Sequence, residues 1–198
     1  MKPKSDGVAN PRAHIAQRLQ EAAWAKVRMI EESAPAIEAI ARTLVDALVA
    51  GRRVYVFGNG GSAADAQHIA CELEGRFYKD RRALPVLALT TNTSTLTAVG
   101  NDYDYAATFR RQVEAHVRKG DVAIAISTSG NSRNVIEAAA AAKKLGATVV
   151  GFTGRRGGRL APMADVCFRA PSDETPRIQE CHITAGHIVC ELVESALS

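Results

Sequence analysis

The sequence predicts an α/β domain: a parallel sheet with helices on both faces, preceded by a helical N-terminal extension. Three observations carry this reading. Short apolar runs recur from residue 54 onward: VYVFG (54–58), VLALT (86–90), VAIAIS (122–127), TVVGFTG (148–154) and DVCFRA (165–170). The segments between them are long enough for crossover helices, and such alternation builds a parallel sheet whose strands are buried on both sides. Alanine supplies 35 of the 198 residues, which favours helix.

Taken in order, the start MKPKSDGVAN (1–10) has no apolar stretch of a signal peptide and reads as a flexible arm. Asn10-Pro11 opens a helix, Asn as N-cap and Pro at the first helical position. Ile15, Leu19, Ala22, Val27 and Ile30 recur at roughly helical spacing. Ser33 restarts the pattern, Ile37, Ile40, Leu44 and Leu48 continue it, and Gly51 ends it. Residues 11–51 are therefore leading helices and 52–198 the α/β core, together one domain over 11–198. Thr175-Pro176 opens a last long helix to Ser198.

Composition narrows the function classes. A chain of this length buries roughly 70% of its unfolded surface and needs neither disulfide nor structural metal to fold. At 46% hydrophobic and 23% charged it is not a disordered sequence. No apolar run approaches the roughly 18 residues of a membrane span. Cys71, Cys167, Cys181 and Cys190 form no CxxC pair, so they read as reduced core thiols of a cytoplasmic protein. The net charge of +4 does not indicate nucleic acid. Arg81-Arg82, Arg110-Arg111, Lys143-Lys144 and Arg155-Arg156 are dispersed pairs without interleaved aromatics, and they read as solvated faces. The remaining excess suits a small anion such as a phosphate ester.

In an open α/β sheet, ligands bind beyond the carboxyl ends of the strands. After the first strand stands Gly58-Asn59-Gly60-Gly61-Ser62-Ala63, a match to G-x-G-x-x-A. The dinucleotide fingerprint also needs an acid near the end of the second strand, and Thr90-Thr91-Asn92 offers none. No GK[ST] follows any strand, which excludes a P-loop. After the third strand comes Ser127-Thr128-Ser129-Gly130-Asn131-Ser132, immediately before a helix. Hydroxyl donors and the free N–H groups of a helix start make a cradle for a dianion without Lys or Arg. The first crossover helix carries Asp65, His68 and Glu72, the last two on one face at i, i+4; the final helix carries Gln179, Glu180, His182 and His187. Such groups serve as metal ligands or as an acid/base pair, and spacing alone leaves both open.

Together, GNGGSAADAQH (58–68), TAVGNDYDY (97–105), STSGNS (127–132) and TPRIQE (175–180) with His187 resemble the sugar-isomerase (SIS) family, most closely its phosphoheptose isomerase branch. The resemblance runs from about residue 12 over nearly the whole chain. It implies a flavodoxin-like three-layer sandwich on a five-stranded parallel sheet. It also implies a homotetramer with active sites at subunit interfaces, in which the leading helices bury their apolar stripes. By that pattern Asn59, Gly60 and Gly61 line the sugar. Ser127, Thr128, Ser129 and Ser132 hold the phosphate, and Asn101 and Asp102 address substrate hydroxyls. Glu72, Gln179 and His187 reach the reacting end. One zinc ion per subunit is implied on His68, Glu72, Gln179 and His187.

The activity so implied converts sedoheptulose 7-phosphate to D-glycero-D-manno-heptose 7-phosphate through an enediol, the first step toward nucleotide-activated heptose for lipopolysaccharide or capsule. Glu72 is then the base, His187 its partner acid/base, and Asp65 a substitute base. Non-enzymatic SIS proteins that bind the replication initiator share the glycine and hydroxyl loops but lack the catalytic Glu and final His. Both residues stand here, which favours the enzyme. An isomerase or binding domain for another sugar phosphate is the further alternative. Neither a nucleic-acid nor a membrane partner is implied.

Overall fold

In a computed structural model of the protein, which describes residues 10–198, Asn10 caps helix α1 (Pro11–Glu32). Its side-chain oxygen accepts from the Ala13 N–H (3.1 Å), with Pro11 at the first helical position. The arm expected over residues 1–10 lies, apart from Asn10, outside the described residues. Helix α2 (Ala34–Val49) follows Ser33, whose hydroxyl donates to the Arg169 carbonyl (3.0 Å) and ties the helix junction to the last strand. Of the two stripes, that of α2 is buried through Ile37, Ile40, Leu44 and Leu48. That of α1 is not buried within the chain: Ala25 and Met29 face inward, while Ile15, Leu19, Val27 and Ile30 stay exposed.

Each apolar run forms a strand, trimmed by zero to two residues: β1 (Val54–Gly58), β2 (Val86–Ala88), β3 (Val122–Ile126), β4 (Thr148–Thr153) and β5 (Val166–Arg169). All pairs are parallel and the order is β2-β1-β3-β4-β5, the flavodoxin order. Alternation along β1 sorts the two cores. Val54 and Val56 join Ile124, Ile126, Val150 and Phe152 beneath α1, α2, α3 (Gly61–Glu74) and α7 (Thr175–Leu197). Tyr55 and Phe57 join Ala123, Ala125 and Val149 beneath α5 (Thr108–His116) and α6 (Arg133–Lys144). Helix α4 (Thr93–Asp102) and a 3-10 turn (Tyr105–Ala107) precede α5, and α4 buries no residue.

Three details differ from the sequence reading. The β4–β5 connection contains no helix. Its glycines turn instead, Gly157 and Gly158 having φ of 74° and 53°, a region that L side chains avoid. Cys71 is exposed and Cys167 half-buried; Cys181 and Cys190 alone are core thiols, and all four are free. Arg81 is not solvated: its side chain is 3% exposed and paired with the equally buried Glu194.

Candidate active site

The glycine loop turns from β1 into α3 at Gly60, whose φ of 56° favours glycine, and Gly60 leaves the helix start without a side-chain cap. A Cβ on Gly61 would collide with the Gln179 side chain, so the bare backbone lets α7 approach here. Asn59 is fixed by a residue the sequence did not single out. Its amide exchanges two hydrogen bonds with Asn134 of α6 (2.8 Å each way), and its Oδ1 also accepts from the Tyr105 hydroxyl (3.1 Å). Asn134 is buried. Its only sequence signal is a polar residue on the inward face of an apolar helix.

Beyond β3, Ser127 and Ser132 meet through their hydroxyls (3.0 Å), and Ser129 Oγ accepts from the Asn131 N–H (3.1 Å). Gly130 has a φ of 66° and packs against the backbone of Gly157 and Gly158 with no room for a Cβ. Thr128, Ser129 and Asn131 then open on a cavity of about 320 Å³, closed by Arg155, Arg156 and Thr175. The two arginines, read from sequence as a solvated pair, are exposed and line the same cavity as the hydroxyl loop. Arg155 donates to the Pro171 carbonyl (2.9 Å) and Arg156 to Asp173 (3.1 Å).

Helices α3 and α7 run side by side in the same direction. Gln179 stands at Gly61; two turns further on, Gly186 packs on Ile69, where a Cβ would press to 2.9 Å of its side chain. That close approach brings His187 Nε2 to 3.2 Å from His68 Nε2, and His68 Nε2 lies 3.2 Å from Glu72 Oε1. Ligand atoms of all three residues lie within 4.8 Å of one another. Two imidazole nitrogens and a carboxylate oxygen form a zinc-type donor set, and ligands about 2.0–2.1 Å from one ion stand about 3.3 Å apart at a tetrahedral centre. The two 3.2 Å separations fit that edge. Gln179 is placed at the level of Gly61, seven residues of α3 before His68, about 10 Å along the helix at 1.5 Å per residue.

Asp65 lies on α3 between these two levels. Burial raises its pKa from 3.8 to about 6, against the pull of His68, and its Oδ2 has no partner among the described residues. Asn101 and Asp102 sit at the exposed end of α4, bonded to each other (2.9 Å). The carboxyl ends of the strands thus gather the hydroxyl loop, Asn59 and Gln179. His68, Glu72 and His187 lie lower, on the flank where α3 meets α7, with the His68 side chain 44% exposed.

The family profile described as SIS domain matches residues 19–154. The phosphoheptose isomerase of Aquifex aeolicus is 58% identical over 175 residues, covering 88% of this chain and 92% of that protein. Among solved structures, the phosphoheptose isomerase of Neisseria gonorrhoeae superposes with a TM-score of 0.90 at 41% identity, over 94% of this chain and 100% of that one. That of Francisella tularensis gives 0.91 at 35% identity, over 94% and 99%. With the sheet order, the glycine loop and the hydroxyl loop all in place, the chain belongs to the SIS domain family and, within it, to the phosphoheptose isomerases.

Proposed function

We propose that the protein isomerises sedoheptulose 7-phosphate to D-glycero-D-manno-heptose 7-phosphate. The observation that carries this reading is the meeting of His68, Glu72 and His187 on α3 and α7, groups that a protein merely binding a sugar phosphate has no need to converge. Residues 11–198 act as one SIS domain. Ser127, Thr128, Ser129 and Ser132 hold the phosphate at the start of α6, where free N–H groups and the helix dipole favour a dianion. Asn59, Gly60, Gly61, Gln179, Asn101 and Asp102 address the sugar. Tyr105 and Asn134 occupy the Asn59 carbonyl, so Asn59 meets the sugar as a donor through its remaining N–H.

Ketose-to-aldose conversion removes a proton from C1, forms the enediol as the C2 oxygen gains a proton, then returns a proton to C2 while the C1 hydroxyl gives one up. Glu72 takes the carbon-bound proton and His187 moves the oxygen proton. Each such group typically contributes on the order of 10²–10⁴-fold. His68, Glu72 and His187 fit zinc, one ion per subunit. When bound it supplies Lewis-acid polarisation of the carbonyl. A carboxylate engaged in ligation is a poorer base, and Asp65, ionising near pH 6, is the alternative for that role. Gln179, assigned by resemblance to the same ion, stands two turns away within one chain. A homotetramer with sites at subunit interfaces brings the separated parts together, and the exposed α1 stripe supports that assembly. No helix among the described residues is long and apolar enough to cross a membrane. We place the enzyme in the cytoplasm, acting without nucleic-acid partners, its product feeding lipopolysaccharide or capsule heptose.

The test is turnover of sedoheptulose 7-phosphate followed by NMR. Glu72→Gln and His187→Gln should each lower kcat by roughly 10²-fold or more while the far-UV circular dichroism and the oligomer stay as in wild type. Wild-type protein that leaves the ketose unchanged but binds the replication initiator would replace this reading with the non-enzymatic one.

A further inference from the structure

Glu194 lies on α7 seven residues after His187, two turns along the same face, and is 1% exposed. Its carboxylate accepts from the backbone N–H groups of Phe77 (2.9 Å), Tyr78 (2.6 Å) and Lys79 (2.9 Å), and faces Arg81 Nε at 3.3 Å. Burial pushes the carboxyl pKa up, but these donors outweigh it and hold the group below its usual range. The Arg81 guanidinium spends its other donors on the carbonyls of Leu73 (2.8 Å), Gly75 (3.1 Å), Arg82 (3.0 Å) and Glu72 (2.9 Å). Those of Glu72 and Leu73 belong to the last turn of α3, which has no partners within the helix. The ring of Phe77, whose N–H bonds Glu194, stands 5.8 Å from the His187 ring.

The apolar contact of Ile69, Gly186 and Cys190 is enough to press α3 against α7. It is non-directional, however, and leaves sliding and rotation poorly fixed. A buried ion pair adds little net stability, because desolvation offsets its attraction. What the three backbone bonds from residues 77–79 to Glu194, its ion pair with Arg81 and the Arg81 bonds to the end of α3 do achieve together is a single register. We propose that Glu194 and Arg81 are positioning residues: they lock the end of α3 that carries Glu72 to the stretch of α7 that carries His187, and so hold the His68/Glu72/His187 cluster in ligand geometry. The proposal rests on the zinc-site and isomerase readings above.

The test uses the full-length protein as wild type, Glu194→Gln and Arg81→Lys. Metal-depleted samples are titrated with zinc against a chromophoric chelator and melted without metal, and kcat and KM are measured separately with sedoheptulose 7-phosphate. Loss of a positioning partner should weaken zinc binding by roughly 10–100-fold and lower kcat by a similar factor, with KM unchanged. A folded variant with wild-type zinc affinity and kcat, lowered only in melting temperature, overturns the proposal. If neither variant folds, the pair is structural and the proposal falls. Failure of the zinc reading shows separately, as wild type that binds no zinc; the kcat-against-KM split then decides. Failure of the isomerase reading shows as inactive wild type, and the zinc titration decides.

Discussion

His182 shows how much a single side chain takes from its surroundings. It is fully buried between Phe152 and Phe168, its Nε2–H donating to the Thr153 carbonyl (3.1 Å) and its Nδ1 unpartnered among the described residues. Burial lowers its pKa from 6.5 to about 4, so the folded chain holds it neutral. Its stabilising contribution is complete above pH 6.5 and is lost as pH falls toward 4. Asp65 works in the opposite sense, its raised pKa favouring the fold below about pH 4 and losing that effect as pH rises through 6. The difference between wild type and His182→Gln therefore isolates the histidine. Between pH 7 and pH 5 metal-free wild type should lose about 2 kcal/mol more unfolding free energy than the variant, as denaturant titration would read.

Between elements, two glycines make opposite predictions. Gly61 has an ordinary φ, and a Cβ there meets only the flexible end of Gln179. Gly61→Ala should keep wild-type stability and displace the Gln179 side chain; if Gln179 addresses the sugar as proposed, KM rises by roughly 3–10-fold, about one hydrogen bond. Gly130 combines a φ of 66° with contact against the Gly157 and Gly158 backbone, which cannot yield. Gly130→Ala should cost at least about 2 kcal/mol and open the hydroxyl loop together with the β4–β5 turn. Equal thermal melts for the two variants would refute this distinction. Local signals marked both loops, since glycines and hydroxyls after an apolar run are legible one residue at a time. The partners across the loop were not: Asn134 and Tyr105 reach Asn59 from separate elements, 75 and 46 positions away in sequence.

At the scale of the whole molecule, the outer face of α1 carries exposed apolar side chains. Ile15, Leu19, Trp24, Val27 and Ile30 are each more than half exposed on α1. Beside them Met29, Ile37, Ile188 and Leu192 line a groove of about 400 Å³ between α1, α2 and α7. Contiguous apolar surface of this kind marks an association site. If the proposed homotetramer is built through α1, Leu19→Glu with Ile30→Glu should shift the species seen by analytical ultracentrifugation below that of wild type and reduce turnover. An unchanged sedimentation profile would remove α1 from the assembly.

The sequence alone determined the strands, the parallel sheet and the glycine and hydroxyl loops at the strand ends, because strand pattern, helix starts and glycine turns are properties of neighbouring residues. It also placed His68 and Glu72 on one helical face. Only the tertiary structure decided that His187 meets them while Gln179 stands two turns away, and that Arg81, read as a solvated charge, is buried against Glu194. Those outcomes depend on where α7 lies along α3. Close approach of the two helices at Gly61 and Gly186, and bonds from residues 77–79 to Glu194 more than 110 positions later, join segments that no local pattern relates.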